Sequence, residues 1–190
     1  MELGVSEALL VMDMQNGILE RIGSRAEALL KATETAIEVA RSQQCLVIFV
    51  RVAFREGAPE VSPKNQSFAR LTTSTDLWET DASTAIHARL APQPGDIVVV
   101  KRRVSAFSGS DLDVVLRAKS VDSLVVSGIA TSGVVLSTVR LAADLDFRLT
   151  VLRDACADMD DDVHRMLMDK VFPRQAAVLE TADWASRLTN

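Results

Sequence analysis

Short, continuously apolar runs of strand length alternate along this chain with longer amphipathic segments. Strands that are apolar at every position are typical of a sheet covered on both faces, and the intervening amphipathic segments can supply the covering helices. The pattern therefore predicts an α/β protein, a three-layer αβα domain around an open, mostly parallel six-stranded sheet of Rossmann-like form. The six predicted strands are 8–12, 46–50, 97–100, 123–127, 148–152 and 176–179.

The predicted helices lie between or after these strands. Ser24-Arg25-Ala26-Glu27 has the form of a capping box, and Ser110-Asp111-Leu112-Asp113 is a weaker version of it. Further helices are predicted at 133–144, 160–171 and 181–188. No interdomain linker or internal repeat interrupts the pattern, so we expect one domain over residues 1–190.

Composition and charge narrow the class of protein. The chain is 48% hydrophobic and 25% charged, no apolar run approaches the length of a membrane span, and the N-terminus lacks the features of a signal peptide. These features predict a cytoplasmic protein without a membrane partner. A formal charge of -5 argues against nucleic acid binding, whereas residues 51–103 carry eight Lys or Arg against six Asp or Glu, which suits a small anionic molecule.

Residues 53–80 form the one stretch without a clear pattern of helix or strand. A long irregular loop in a compact domain is usually functional or disordered. Its aromatic residues and the arginines in and beside it favour a binding loop, although exposed arginines are mostly solvated charges. These residues are Phe54, Phe68, Trp78, Arg51, Arg55 and Arg70.

Polar residues follow three of the predicted strands. Asp13 and Lys101 each come directly after an apolar run, and a glycine-flanked turn at 127–133 follows a third. In an open parallel sheet, ligands bind beyond the carboxyl ends of the strands, near the point where strand order reverses. A carboxylate beside an ammonium group can exchange protons and stabilise charge. The alternative is a structural ion pair, or two unrelated residues at strand ends.

The chain resembles the isochorismatase-like (cysteine hydrolase) superfamily over about residues 7–180. The resemblance rests on Ala8-Leu9-Leu10-Val11-Met12-Asp13-Met14-Gln15, on the segment from Val99 to Leu112, on Gly128-Ile129-Ala130-Thr131 with Ser137-Thr138, and on Asp154-Ala155-Cys156-Ala157. It implies the isochorismatase-like hydrolase fold, with Asp13 as catalytic acid or base and Lys101 as catalytic lysine. It also implies a homodimer or homotetramer.

The nucleophilic cysteine of that family has no counterpart at the matching position. The family motif G-x-x-T-x-x-C-V-x-x-T places the cysteine at Val134, whether counted from Gly128 or back from Thr138. Valine has no ionisable group, so a thioester intermediate is excluded there. Cys156 is the remaining candidate near this edge, but a small packed residue is the favoured interpretation, and Cys45 is expected to be a buried, inert thiol.

We predict no metal and no cofactor. The metal-dependent nicotinamidase branch carries an aspartate and histidines between its second and third strands, whereas this chain has only His87 there, and His164 lies far along the chain.

The resemblance implies a hydrolase that acts on a small, anionic metabolite without a cysteine, with isochorismate-type vinyl ether hydrolysis favoured. Asp13 is then the general acid, Lys101 positions the substrate, and the turn before Val134 offers backbone donors. The predicted substrate-binding residues are Gln15, Phe54, Trp78, Phe107, Ala130 and Thr131. Two alternatives stay open: a catalytically silent homologue that binds a metabolite or partner through the same cleft, and amide hydrolysis by water that Asp13 activates.

Overall fold

The computed structural model describes residues 6–74 and 77–189 of the chain. All six predicted strands are present, and most run one to five residues further than the apolar runs. They are β1 (Glu7–Met12), β2 (Leu46–Val52), β3 (Ile97–Lys101), β4 (Ser123–Ile129), β5 (Arg148–Ala157) and β6 (Ala177–Leu179).

The strands form one open sheet in the order β3-β2-β1-β4-β5-β6. Every pair of neighbours is parallel, so the predicted, mostly parallel sheet is confirmed and is parallel throughout. Strand order reverses between β1 and β4, where Met12 pairs with Gly128. The carboxyl ends of these two strands therefore flank the position at which open α/β sheets bind their ligands.

Seven α-helices lie between or after the strands within the described ranges, and two predictions about the helices need correction. The first capping box does not form, because a 3₁₀ turn at Gly23–Arg25 runs directly into α2. The second forms in part: Ser110 Oγ accepts from the Leu112 N–H at 3.3 Å, but Asp111 makes no side-chain cap. The region 53–80, predicted to be irregular, contains α3. The helices are α1 (Asn16–Ile22), α2 (Ala26–Ser42), α3 (Gln66–Ser74), α4 (Leu112–Ala118), α5 (Leu136–Asp144), α6 (Asp161–Met166) and α7 (Thr181–Thr189).

Two helical predictions are modified at their ends. A π-helical turn at Thr131–Val135 precedes α5, and a second at Leu167–Val171 continues α6, so the predicted helices 133–144 and 160–171 each combine two helix types. Asp160 caps α6 through hydrogen bonds from the backbone N–H groups of Asp162 and Val163.

Side chains on alternate positions of β1, β2, β4 and β5 pack into two apolar cores, whereas Val98 of the edge strand β3 is exposed. Leu9 and Val11 of β1 face a core that α2 completes with Leu30, whereas Leu10 and Met12 face a core that α4 and α5 complete. The sheet is thus covered on both faces, as its continuously apolar strands predict. Within residues 6–74 and 77–189, no helix combines the length and apolar character that crossing a bilayer requires.

Candidate active site

Asp13 begins the loop that leaves β1 at the reversal of strand order. Its backbone N–H donates to the Val50 carbonyl of β2 at 2.8 Å, and its φ of 57° turns the chain out of the strand. A positive φ is uncommon for a residue other than glycine, and aspartate is among those that adopt it most readily. The turn leaves Asp13 only 5% exposed.

Lys101 reaches Asp13 from the far side of β2. It is the last residue of β3, and its Nζ lies 2.9 Å from Asp13 Oδ2. The same Nζ donates to the Arg103 carbonyl at 3.1 Å, and the side chain is 2% exposed. The two residues predicted to form the catalytic pair are therefore in contact, although one strand separates the strands that carry them.

The carboxyl group of Asp13 is incompletely paired. Its Oδ2 faces Lys101, whereas Oδ1 is buried without a hydrogen-bond partner. Burial raises the pKa of Asp13 above its ordinary value, and the attraction of Lys101 offsets only part of that increase. A buried carboxyl group of this kind can retain a proton at a pH where an exposed aspartate has lost it, which a general acid requires.

Backbone contact brings β4 against β1 at this edge of the sheet. A Cβ atom on Gly128 would lie 2.6 Å from the Met12 carbonyl oxygen, so only glycine fits here. The Ile129–Ala130 peptide that follows is cis. The chain then enters the turn Thr131–Val135, which lies beyond the same strand ends as Asp13.

Val134 lies in this turn as an apolar core residue. It is 2% exposed and belongs to the cluster that includes Val135, Val139 and Cys156. Several N–H groups of the turn are already hydrogen bonded. The Ser132 N–H donates to Asp158 Oδ2 at 2.6 Å, and the N–H groups of Gly133 and Val135 donate to the Ala130 carbonyl at 3.0 and 3.3 Å.

Asp158 is a residue that the sequence reasoning missed. It follows β5, is 5% exposed, and accepts hydrogen bonds from the turn and from the Asp160 N–H. Burial alone would raise the pKa of Asp158, but hydrogen bonds from Ser132 and from nearby backbone N–H groups outweigh burial and hold the pKa below its ordinary value. Asp158 is therefore an ionised cap of the Thr131–Val135 turn.

Thr131 and Ala130 occupy the start of the turn. Thr131 is fully buried, and its Oγ1 lies 2.8 Å from His164 Nδ1 of α6. Burial and the nearby Arg153 hold the pKa of His164 below its ordinary value. A neutral imidazole nitrogen can accept a hydrogen bond from the threonine hydroxyl group, so this contact joins α6 to the turn.

Neither cysteine has the properties of a reactive thiol. Cys156 is 5% exposed within the core, and burial raises the pKa of its thiol to about 12. Burial also raises the pKa of Cys45, which is partly exposed. A thiol with so high a pKa contributes little thiolate near neutrality, so Cys156 is unsuited to nucleophilic attack.

The predicted pocket residues have different surroundings. Gln15 is 1% exposed, and its amide is bonded to the backbone of Val52 and Thr84. Phe54 is fully buried and meets Phe68 edge to face at 5.5 Å between ring centroids. Trp78 is 37% exposed, and its backbone forms an isolated parallel β-bridge with the backbone of Phe54.

Phe107 lies on the other side of the sheet from α2. It is partly buried against the core that α4 and α5 complete. Its ring centroid lies 6.1 Å from that of Phe147, which belongs to the same core. The contacts that surround Gln15, Phe54 and Phe107 are contacts within the protein, and their role toward a substrate stays a prediction.

Arginines hold the loop that crosses the edge near Asp13. Arg51 donates to the carbonyl oxygens of Glu79 and Thr84 at 3.3 and 3.2 Å. Arg102 donates to the Ala53 carbonyl and pairs with the Glu79 carboxylate. Arg55 pairs with Glu60. These contacts assign Arg51, Arg55 and Arg102 to the support of the loop. Across residues 6–74 and 77–189, no three His, Cys, Asp or Glu side chains come together in the manner of a metal site.

Comparison with known proteins identifies the family. The model of the isochorismatase domain matches residues 7–183. This chain belongs to the isochorismatase family. It is 33% identical over 168 residues to the uncharacterized family member YwoC of Bacillus subtilis, with 88% of this chain and 86% of that protein covered.

Two further relatives bear on chemistry and fold. The ureidoacrylate amidohydrolase RutB of Stutzerimonas stutzeri is 35% identical over 169 residues, covering 78% of this chain and 68% of that protein. The structure of a cysteine hydrolase from Pseudomonas syringae pv. phaseolicola has a TM-score of 0.89 and 26% identity, with 97% of this chain and 92% of that chain covered. The isochorismatase-like fold is thereby confirmed, and the relatives support the assignment of this chain to the hydrolases.

Proposed function

We propose that this isochorismatase-family hydrolase acts on a small anionic metabolite by acid catalysis, without a cysteine nucleophile, and that hydrolysis of an isochorismate-type vinyl ether is its reaction. The observation that carries the proposal is the buried Asp13–Lys101 pair, in which Asp13 Oδ1 has no partner and burial raises the carboxyl pKa. The packing of Val134 in an apolar core supports a mechanism that needs no nucleophile at that position.

The reaction can proceed with one carboxyl group. Protonated Asp13 transfers its proton to the terminal carbon of the enol ether, and positive charge develops at the carbon that bears the ether oxygen. Water adds to that carbon and returns a proton to Asp13. The resulting hemiketal collapses: its C–O bond to the leaving group breaks, the hydroxyl proton passes to the departing oxygen, and pyruvate and an alcohol are released.

Lys101 contributes charge rather than a proton in this scheme. Its ammonium group donates to Asp13 and to the Arg103 carbonyl, which accounts for two of its three N–H donors. The third donor can bind a substrate carboxylate. The cation also limits how far burial raises the pKa of Asp13, so that the carboxyl group can both lose and regain a proton.

Amide hydrolysis is the second candidate function, and the similarity to RutB favours it. In that case ionised Asp13 would accept a proton from an attacking water. A silent homologue is the remaining alternative, and the missing thiol at Val134 favours it. The buried ion pair favours an enzyme. Burial of two charged groups has a substantial desolvation cost, and apolar residues could fill the same space without that cost.

A substrate assay separates these functions. The purified protein is incubated with isochorismate, with pyruvate release measured, and in parallel with ureidoacrylate, with ammonia release measured; Asp13→Asn is assayed beside it. We expect pyruvate release by the native protein and its loss in the variant. Ammonia release alone would establish the amidase, and inactivity on both substrates would favour the silent homologue.

Cysteine variants test the nucleophile independently. Cys45→Ser and Cys156→Ala, alone and together, should retain pyruvate release. Loss of activity in a variant that keeps the native circular dichroism spectrum would contradict a mechanism without cysteine.

A further inference from the structure

The amide of Gln15 makes three hydrogen bonds to backbone groups next to the candidate active site. Its Oε1 accepts from the Val52 N–H at 2.9 Å, and its Nε2 donates to the carbonyl oxygens of Val52 and Thr84 at 2.9 and 2.8 Å. Both amide N–H donors are therefore engaged, and the side chain is only 1% exposed. These contacts leave Gln15 without a free donor for a substrate.

The Val52 N–H is the group that Gln15 shares with Asp13. Val52 is the last residue of β2, which lies between the strands that carry Asp13 and Lys101. Its N–H is bonded to Gln15, yet it also lies close enough to the Asp13 carboxyl group to favour the ionised form. Asp13 Oδ1 nevertheless remains buried without a hydrogen-bond partner.

We propose that Gln15 is a positioning residue, which engages the Val52 N–H so that Asp13 Oδ1 stays free for the proton of the reaction. A backbone N–H that bonded a carboxylate oxygen would stabilise the anion, and several such bonds make an aspartate a strong acid. Asp158 illustrates this outcome in the same molecule, since its oxygens accept from Ser132 and Asp160. Gln15 thus prevents a backbone hydrogen bond to Asp13 that would lower its pKa in the way that such bonds lower the pKa of Asp158. The consequence for catalysis rests on the proposed function.

The first test measures the titration of Asp13 without any substrate. The carboxyl carbons of aspartate are labelled with ¹³C, and the Asp13 signal is identified by its absence in Asp13→Asn. In Gln15→Met the Val52 N–H is released, and we expect the midpoint of Asp13 to fall by about one pH unit. Gln15→Asn, whose shorter side chain withdraws the acceptor while keeping an amide, should lower the midpoint in the same direction.

A matched control separates this effect from loosening of the loop. Thr84 Oγ1 donates to the carbonyl oxygens of Trp78 and Asp81, and its own carbonyl oxygen is the one that Gln15 uses. Thr84→Val therefore weakens the loop but retains the bond between Gln15 and Val52. The Asp13 midpoint should stay unchanged in this variant. An equal fall in Thr84→Val, or an unchanged midpoint in a folded Gln15 variant, would overturn the proposal.

The native protein provides a measurement that needs no substitution at Gln15. The amide proton shift of Val52 is followed while Asp13 titrates. If the N–H is held by Gln15, that shift should change only slightly as Asp13 ionises. A large downfield change would mean that Val52 bonds the carboxylate directly, and the proposal would fail.

Activity then links the positioning role to the reaction. In the assay for pyruvate, the basic limb of the rate profile, where Asp13 loses its proton, should move to lower pH in Gln15→Met by the same amount as the Asp13 midpoint. Because the midpoint is measured without substrate, an inactive native protein would defeat the proposed function and leave the result on Gln15 intact.

Discussion

Asp13 and Asp158 are two aspartates at the same edge of the sheet, each 5% exposed, whose pKa values shift in opposite directions. Asp13 has a lysine on one oxygen and no partner on the other, and burial dominates. Asp158 accepts hydrogen bonds from the turn that it caps, and those bonds dominate. Two aspartates of similar exposure thus become a proton carrier and an anion, because Asp13 lies deeper in the protein and has fewer hydrogen-bond donors than Asp158.

The largest expected effect is the loss of the proton on Asp13. Asp13→Asn keeps the shape of the side chain but cannot transfer a proton, and general acid catalysis contributes about 10²–10⁴-fold. We expect kcat/KM for pyruvate release to fall by about 10³-fold. Asp158→Asn should lie within about tenfold of the native protein. Equal losses would show that the reaction depends on Asp158 as much as on Asp13, and would contradict the assignment of the proton to Asp13 alone.

Removal of the cation should have the next largest effect. In Lys101→Met the Asp13 carboxyl group loses the attraction that offsets burial, so its pKa should rise further. We expect kcat to fall by about 10²-fold, a magnitude typical of the loss of one charge stabiliser, with the remaining rate profile displaced to higher pH. Rates across pH 4–9 check this. A profile displaced to lower pH would contradict the assigned influence of Lys101.

Asp158→Asn should act mainly on stability. A cap and charge-assisted hydrogen bonds are lost, so the free energy of unfolding in urea should fall by about 1–2 kcal/mol at pH 7. Because the folded pKa of Asp158 lies below its ordinary value of 3.8, its contribution is present above that pH and disappears as the pH falls through the folded pKa. The difference between variant and native protein should therefore shrink below pH 3.8.

The titration of Asp13 should change the free energy of unfolding with pH in the opposite direction. Its folded pKa lies above 3.8, so its titration stabilises the fold fully below pH 3.8 and that contribution is lost as the pH rises through the folded value. Asp13→Asn lacks this titration and should gain stability relative to the native protein as the pH rises from 4 to 7. If the stability of both variants relative to the native protein changed with pH in the same direction, the opposite pKa shifts assigned to Asp13 and Asp158 would be wrong.

The smallest effect is expected for Cys156→Ala. Burial raises the pKa of this thiol to about 12, although a backbone hydrogen bond from Gly128 opposes that increase, and Sγ lies 3.8 Å from the Val126 carbonyl oxygen. Cys156 is thus a third buried acidic group at this edge, with fewer hydrogen-bond donors than Asp158 has. Pyruvate release should remain within about twofold of the native rate. Inactivation of the native protein by a thiol reagent, absent in the variant, would assign a role to the thiol.

Local patterns predict the fold and the catalytic pair because both depend on strand ends. Each continuously apolar run becomes a strand, and the polar residue that ends β1 or β3 falls at the edge that parallel pairing creates. The contact of Asp13 with Lys101 follows from that edge and from the length of a lysine side chain. The helix α3 within 53–80 was missed, because its residues Gln66–Ser74 lie among turn-forming residues and lack a long apolar stripe.

The partners of each buried group could not be predicted in the same way. Gln15 bonds Thr84, 69 positions away, and Asp158 bonds Ser132, 26 positions away. Such contacts depend on how loops return to the sheet, and no local pattern records them. An acidic residue after β5 that faces the turn after β4 was the available signal for Asp158, and it becomes visible only when strand order is known.

The position of Lys101 on β3 has a consequence for how the protein loses activity on heating. β3 is an edge strand, so its backbone is held by β2 on one side alone, whereas Asp13 follows a strand with neighbours on both sides. Edge elements open with smaller free energies than the centre of a sheet. Opening of β3 would withdraw the ammonium group while the sheet persists, and inactivation should therefore precede the loss of far-ultraviolet circular dichroism. The thermal stability of the ion pair is therefore limited by the edge strand β3, which has only one neighbouring strand.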